Sequence, residues 1–174
     1  MKTEELRALQ APLKDQYRTE PETALITLKA LGRLGEGITC NVQTGRALAA
    51  AGLHPATGGD GLALCSGDML LEALVACAGV TLRAVATALG IAIRDGVVTA
   101  EGDLDFRGTL GVAKDAPVGF KNIRLHFKLD TDADDTQLEL LLRLTERYCV
   151  VFQTLNHKPD LSVAHDVSPI EPLA

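Results

Sequence analysis

The sequence predicts an α+β protein in which an antiparallel sheet packs around one long buried helix. Three observations carry this. The stretch Ser66–Gly90 is apolar almost throughout, and between Met69 and Leu89 its only charged residues are Glu72 and Arg83. Strand-like segments come in runs on either side of it instead of alternating strictly with helices, which favours antiparallel pairing. The composition, 47% apolar but 3% aromatic with no Trp, demands an aliphatic core. A chain of 174 residues fits one domain with at most a short extension, and buries about two-thirds of its unfolded surface.

Residues 1–21 form that extension, an amphipathic arm with Leu6, Leu9, Leu13 and Tyr17 on one helical stripe and Pro12 dividing it. The domain then spans 22–174. Thr23–Leu31 alternates as a strand, Gly32–Gly37 supplies a turn, and Ile38–Val42 returns as its hairpin partner. From Thr44 to Leu64 five glycines, with Pro55, Arg46, His54 and Asp60, mark a loop or short edge strand. It lacks the spacing of either phosphate-binding glycine motif.

Ser66 suits the N-cap of the long helix, Asp68 favours its dipole, and Gly90 stops it. Glu72 and Arg83 cut its apolar run below the roughly 18 uncharged residues of a membrane span, so it is a core helix. Beyond it, Val97–Arg107 and Phe120–Leu129 alternate as strands, joined by a loop over Gly108–Val118. Asp130–Thr136 caps a striped helix over Gln137–Tyr148. A break precedes a second helical piece, Cys149–Leu155, and Leu161–His165 reads as a last strand.

A net charge of -6 and a pI near 5.2 argue against nucleic-acid or anionic-membrane partners. No basic-then-apolar leader opens the chain, so the cytoplasm is the expected location. The four cysteines, Cys40, Cys65, Cys77 and Cys149, form no C-x-x-C pair and show no zinc-ligand spacing. His54, His126, His157 and His165 share no metal spacing either, and the Asp130–Asp135 run lacks the terminal Glu of a calcium loop.

A lone cysteine in an apolar helix is most simply a small packed hydrophobe, and Cys40 and Cys65 read that way. Two features set Cys77 apart. Its neighbours Ala73, Ala76, Ala78 and Gly79 are small, so another element can approach the sulfur. Cys149 stands at a helix start, where backbone N–H groups favour a thiolate. One reactive and one resolving thiol make a minimal peroxidase, because a sulfenic acid on the first is captured by the second as a disulfide.

The helix Asp68–Leu82 with Cys77 at its centre, and Tyr148–Leu155 with Cys149, resemble the two cysteine motifs of the OsmC/Ohr family, the osmotically induced and organic-hydroperoxide-resistance proteins. The resemblance takes in Gly58-Gly59-Asp60, the intervening strand pair and the final strand, about residues 22–168. It implies an α+β fold of antiparallel sheets wrapped around two long central helices in an intertwined homodimer, with active sites at the subunit interface. Cys77 is then the peroxidatic and Cys149 the resolving residue of a thiol-dependent hydroperoxide reductase. Organic hydroperoxides are the implied substrates and a lipoylated or other dithiol protein the implied reductant; no metal or prosthetic group is implied. Where the family carries Pro-Glu this chain has Gly67-Asp68, so Asp68 or Glu72 becomes the carboxylate of the charge network. Arg46 is the favoured thiolate-stabilising cation and Arg33 the other candidate. The second motif lacks the family's Pro after its cysteine. These departures leave a non-catalytic dimer, acting as redox sensor or apolar-ligand binder, as the alternative.

Overall fold

A computed structural model describes residues 2–5, 8, 11, 19, 31–34, 39–43, 48–111 and 114–167, with backbone alone at 31–34, 39–43, 48 and 107. The arm's leucine stripe, Pro12, most of the strand expected from Thr23, and Arg46 lie outside the described residues. So do the side chains of Arg33 and Cys40.

Strands β1 (Leu31–Leu34), β2 (Thr39–Gln43), β3 (Leu48–Gly52) and β4 (Leu64–Cys65) make one sheet in that order. Leu31 pairs with Gln43 and Thr39 with Gly52, both antiparallel, whereas β4 lies parallel to β3. This corrects two expectations. Gly32–Leu34 belong to a strand and not to the turn, and the sheet is not wholly antiparallel. The glycine-rich segment has structure of its own. After β3 a single 3-10 turn, Pro55–Thr57, is capped by His54, whose Nδ1 accepts the Ala56 N–H at 3.0 Å. Gly58 leaves that turn at φ +94°, and the Asp60 carboxylate accepts the Leu62 N–H at 2.9 Å.

Helix α1 (Ser66–Leu89) follows directly. Its N-cap is Cys65, not Ser66, with no capping hydrogen bond from the side chain. Gly90 ends it in the left-handed region at φ +71°, a conformation that favours a residue without Cβ. Leu74, Ala78, Leu82 and Ala86, each four residues from the next, form its buried stripe. Among the described residues α1 is the one helix long and apolar enough to cross a membrane by length and composition. Here that stripe is covered by the chain's own elements.

The cover is a hairpin of β5 (Ile93–Leu104) and β6 (Phe120–Thr131), antiparallel over nearly its whole length. The one-turn helix α2 (Phe106–Thr109) lies in its connection. Inward residues alternate as the sequence predicts, with Val98, Ala100, Ile123, Leu125 and Phe127 against α1. The outer face is charged: Arg124 bridges Glu101 and Asp103, and Arg94 bridges Asp130 and Asp132. Helix α3 (Asp135–Tyr148) starts in a capping box between Asp134 and Gln137. Cys149 separates it from α4 (Val150–Asn156). Leu141 of α3 packs with Leu82, Ala86 and Ile91, while Cys149 packs with Leu74 and Ala78.

The expected strand at Leu161–His165 does not form. Residues 158–167 carry no strand, and Leu161 and Val163 are 80% and 98% exposed. Alternation alone does not make a strand; a ladder partner is needed, and no described edge of this chain supplies one.

Candidate active site

The break at Cys149 builds the site. Its N–H still belongs to α3, donating to the Thr145 carbonyl at 2.9 Å, while its own carbonyl accepts the Gln153 N–H at 2.9 Å to begin α4. The side chain is thereby held inward at 1% exposure, against Leu74 and Ala78. The same geometry brings the first amides of α4, from Val150 and Val151, over the face of α1 that carries Cys77. Both thiols are free, and they pack in one cluster where α4 meets α1.

Their acidities diverge. Burial by itself raises Cys77, but the Val151 N–H, the Cys149 side chain, the Val150 N–H and the Thr81 hydroxyl together outweigh it and hold Cys77 below the ordinary thiol value. Cys149 goes the other way. Burial raises it, the N–H groups of Phe152 and Val151 offset only part, and the neighbouring Cys77 raises it further. This corrects the expectation that the helix start favours a thiolate at Cys149. Cys149 sits too deep, and the helix start serves Cys77 as well. In this pair Cys77 loses its proton first.

Asp68 and Glu72 are not on that face. At roughly 100° per residue they lie about 180° and 140° round α1 from Cys77. Both side chains are exposed and line a groove of about 400 Å³ with Leu71, Val75, Ala76 and Ala100. Within one chain, then, the structure unites Cys77 with Cys149 and leaves both carboxylates apart from them. The small residues also divide by role. Ala78 is fully buried and Gly79 passes close to Val98, whereas Ala73 and Ala76 stay exposed.

Sequence reasoning missed Thr81 and the Val150–Val151 amides. Thr81 had a signal, the i,i+4 spacing from Cys77 that puts both on one face. The amides had none, since their placement depends on tertiary packing. Beside the thiols, Leu74, Phe120, Ile123, Leu125, Phe152 and Leu155 line a cleft of about 310 Å³ whose mouth carries Lys121, Asn122 and Asn156. Among the described residues no group of three or more His, Cys, Asp or Glu is placed to hold a metal ion.

A family model described as OsmC-like protein matches residues 58–164. No curated protein matches the chain by sequence. Solved structures do match it by fold. An OsmC-like protein from Mycoplasma pneumoniae superposes with a TM-score of 0.65 at 17% identity, covering 76% of this chain and 89% of that one. An organic hydroperoxide resistance protein from Elizabethkingia anophelis gives 0.62 at 14% identity, over 77% and 91%. The organic hydroperoxide resistance protein OsmC from Legionella pneumophila gives 0.59 at 21% identity, over 75% and 90%. At these identities the likeness establishes the α+β fold alone.

Proposed function

This chain belongs to the OsmC-like protein family, and from that premise we propose that it is a thiol-dependent peroxidase that reduces organic hydroperoxides. The observation that carries the reading is the packing of two free thiols in one cluster, Cys77 partly exposed on α1 and Cys149 buried at the break between α3 and α4, where burial raises Cys149. A peroxidase needs one thiolate ready to attack and one thiol held in reserve.

The Cys77 thiolate attacks one peroxide oxygen and the O–O bond breaks. The alkoxide leaves, takes a proton and departs as an alcohol, and Cys77 becomes a sulfenic acid. Cys149 then attacks the Cys77 sulfur, and its proton leaves with the hydroxyl as water. The resulting disulfide is reduced by two thiols of an external dithiol, restoring both cysteines. The apolar cleft beside the thiols, which shares Leu74, Ile123, Leu125 and Phe152 with their packing cluster, supports an alkyl-bearing substrate. The active unit in this reading is a homodimer. What supports it is α1: Cys77 borders a face on which Ala73 is exposed, Leu70 is 38% exposed and Val80 is 73% exposed, more apolar surface than a central helix ordinarily leaves to water.

One specific observation favours the alternative, a dimer that senses oxidants or binds an apolar ligand without turnover. Asp68 and Glu72, the two candidate carboxylates, line a groove on the far side of α1 from Cys77. The test is peroxide loss with cumene hydroperoxide and a dithiol, for wild type, Cys77→Ser and Cys149→Ser. Wild type should consume peroxide and Cys77→Ser should not, while Cys149→Ser should stop after about one turnover with Cys77 over-oxidised. Wild type no faster than Cys77→Ser would sink the enzymatic reading.

A further inference from the structure

Phe120 opens β6, and its ring fills the gap between the hairpin and the start of α1. The ladder pairs Asp103 with Asn122 and Leu104 with Phe120, so Lys121 is an extra residue on β6. A bulge of this kind re-aims the side chain beside it. Here the ring lies over Gly102 of β5, where a Cβ would come within 2.4 Å of its Cε1. Its tip reaches the first turn of α1, where a Cβ on Gly67 would lie 3.5 Å from its Cζ. One glycine on each wall makes room for the ring.

That ring parts two cavities. On one side is the cleft of about 310 Å³ beside the thiols. On the other is a cavity of about 380 Å³, walled by Leu71, Leu104 and Phe106 and carrying His54, Cys65 and Asp68. Among the described residues lining the two, only Phe120 is shared. The second cavity has a fixed wall, since His54 stacks on Phe106 with 5.0 Å between ring centroids and accepts the Ala56 N–H at its Nδ1. The cleft joins the thiol cluster at Leu74, Leu125 and Phe152 and ends at Phe120. From Cys77 back to Gly67 the axis of α1 measures about 15 Å. A chain whose head lies at Cys77 therefore has its tail toward the ring.

We propose that Phe120 is the specificity-determining residue for substrate length, its ring being the end wall of the alkyl cleft and the His54 cavity the space a longer chain gains when that wall is removed. This rests on the peroxidase reading for the nature of the reacting end, a hydroperoxide, but not for its test. Each methylene buried in the cleft adds to affinity, and one that the ring turns back into water adds nothing.

The experiment titrates straight-chain primary alcohols, from butanol to tetradecanol, into the full chain by calorimetry. These are the reduced forms of the corresponding alkyl hydroperoxides. In wild type each added methylene should tighten binding about fourfold until the tail meets the ring, and no further beyond that length. In Phe120→Ala the levelling should move to longer alcohols. Phe120→Leu, which keeps an apolar side chain but shortens its reach, should move it less and serves where the Ala variant fails to fold. Leu155→Ala widens the cleft without touching the second cavity, and should weaken binding while levelling at the wild-type length. Wild-type affinity that climbs steadily to tetradecanol, or an absence of binding at every length, would overturn the inference. So would Phe120 variants that level where wild type does, or a Leu155→Ala shift as large as theirs, since general loosening would then be responsible. No peroxide enters the assay. A protein with the expected length profile that consumes no peroxide keeps this inference and loses the peroxidase reading, and the reverse result separates them the other way.

Discussion

At the scale of the residue, two cysteines of one chemistry are made unlike by depth and by the amides around them. Cys149 is buried at the junction of α3 and α4, whereas Cys77 keeps partial exposure. A pH series of alkylation should therefore label Cys77 at lower pH than Cys149, and a reversed order would contradict the division of roles. The same shifts act on stability with opposite signs. For Cys77 the folded value lies below the ordinary one of 9.0, so its contribution is complete above that value and is lost as pH falls through the lowered one. For Cys149 the contribution is complete below 9.0 and is lost as pH rises through the raised value. A second expectation concerns the carboxylates. Because Asp68 and Glu72 occupy the far side of α1, Asp68→Asn and Glu72→Gln should each change the Cys77 alkylation rate less than about twofold, the scale of a distant screened charge. A tenfold loss in either would place that carboxylate beside the sulfur, across a subunit boundary. Both cysteines were legible as a pair from the sequence, but which of them is acidic was not. Acidity here is set by depth, and depth by how α3 and α4 break at Cys149.

Elements were legible where a local rule fixes them and illegible where a partner does. Helix α1 runs from Ser66 to Leu89 as its apolar run and Gly90 dictate, and α3 and α4 divide at Cys149 as expected. The hairpin's inward pattern follows its alternation. Leu161–His165 alternates as well, yet stays unpaired, because a strand needs a ladder that local sequence cannot promise. The glycines before α1 show a third case, in which a motif noticed as family likeness has a mechanical reason. A Cβ on Gly59 would lie 1.7 Å from the Leu53 carbonyl oxygen, so backbone there must part before any side chain fits. Gly59→Ala should lower the unfolding free energy by roughly 1–3 kcal/mol in urea titration, the usual cost of overpacking. An unchanged midpoint would mean that the His54–Gly59 turn relaxes freely and has no part in fixing the entry to α1.

For the whole molecule, the incomplete cover of α1 is the feature that local rules do not explain. The long helix was expected to be buried nearly all round, and one chain buries only its Leu74–Ala86 stripe. The uncovered apolar face carries Val80, three residues beyond Cys77 on the adjoining side of the helix. If that face meets its counterpart in a second copy, the contact is self-complementary about a two-fold axis, and one substitution acts twice. Val80→Glu tests this. Two carboxylates brought together in a desolvated contact cost several kcal/mol, enough to dissociate an ordinary dimer. Sedimentation should give wild type at about twice the 18.4 kDa chain mass and Val80→Glu at the mass of one chain. Far-UV circular dichroism should confirm that each variant chain keeps its helices. Because Cys77 borders this face, the dissociated variant should also lose most peroxide consumption while Cys77 still alkylates. A Val80→Glu protein that remains dimeric would move the interface elsewhere and leave the open side of α1 to another partner.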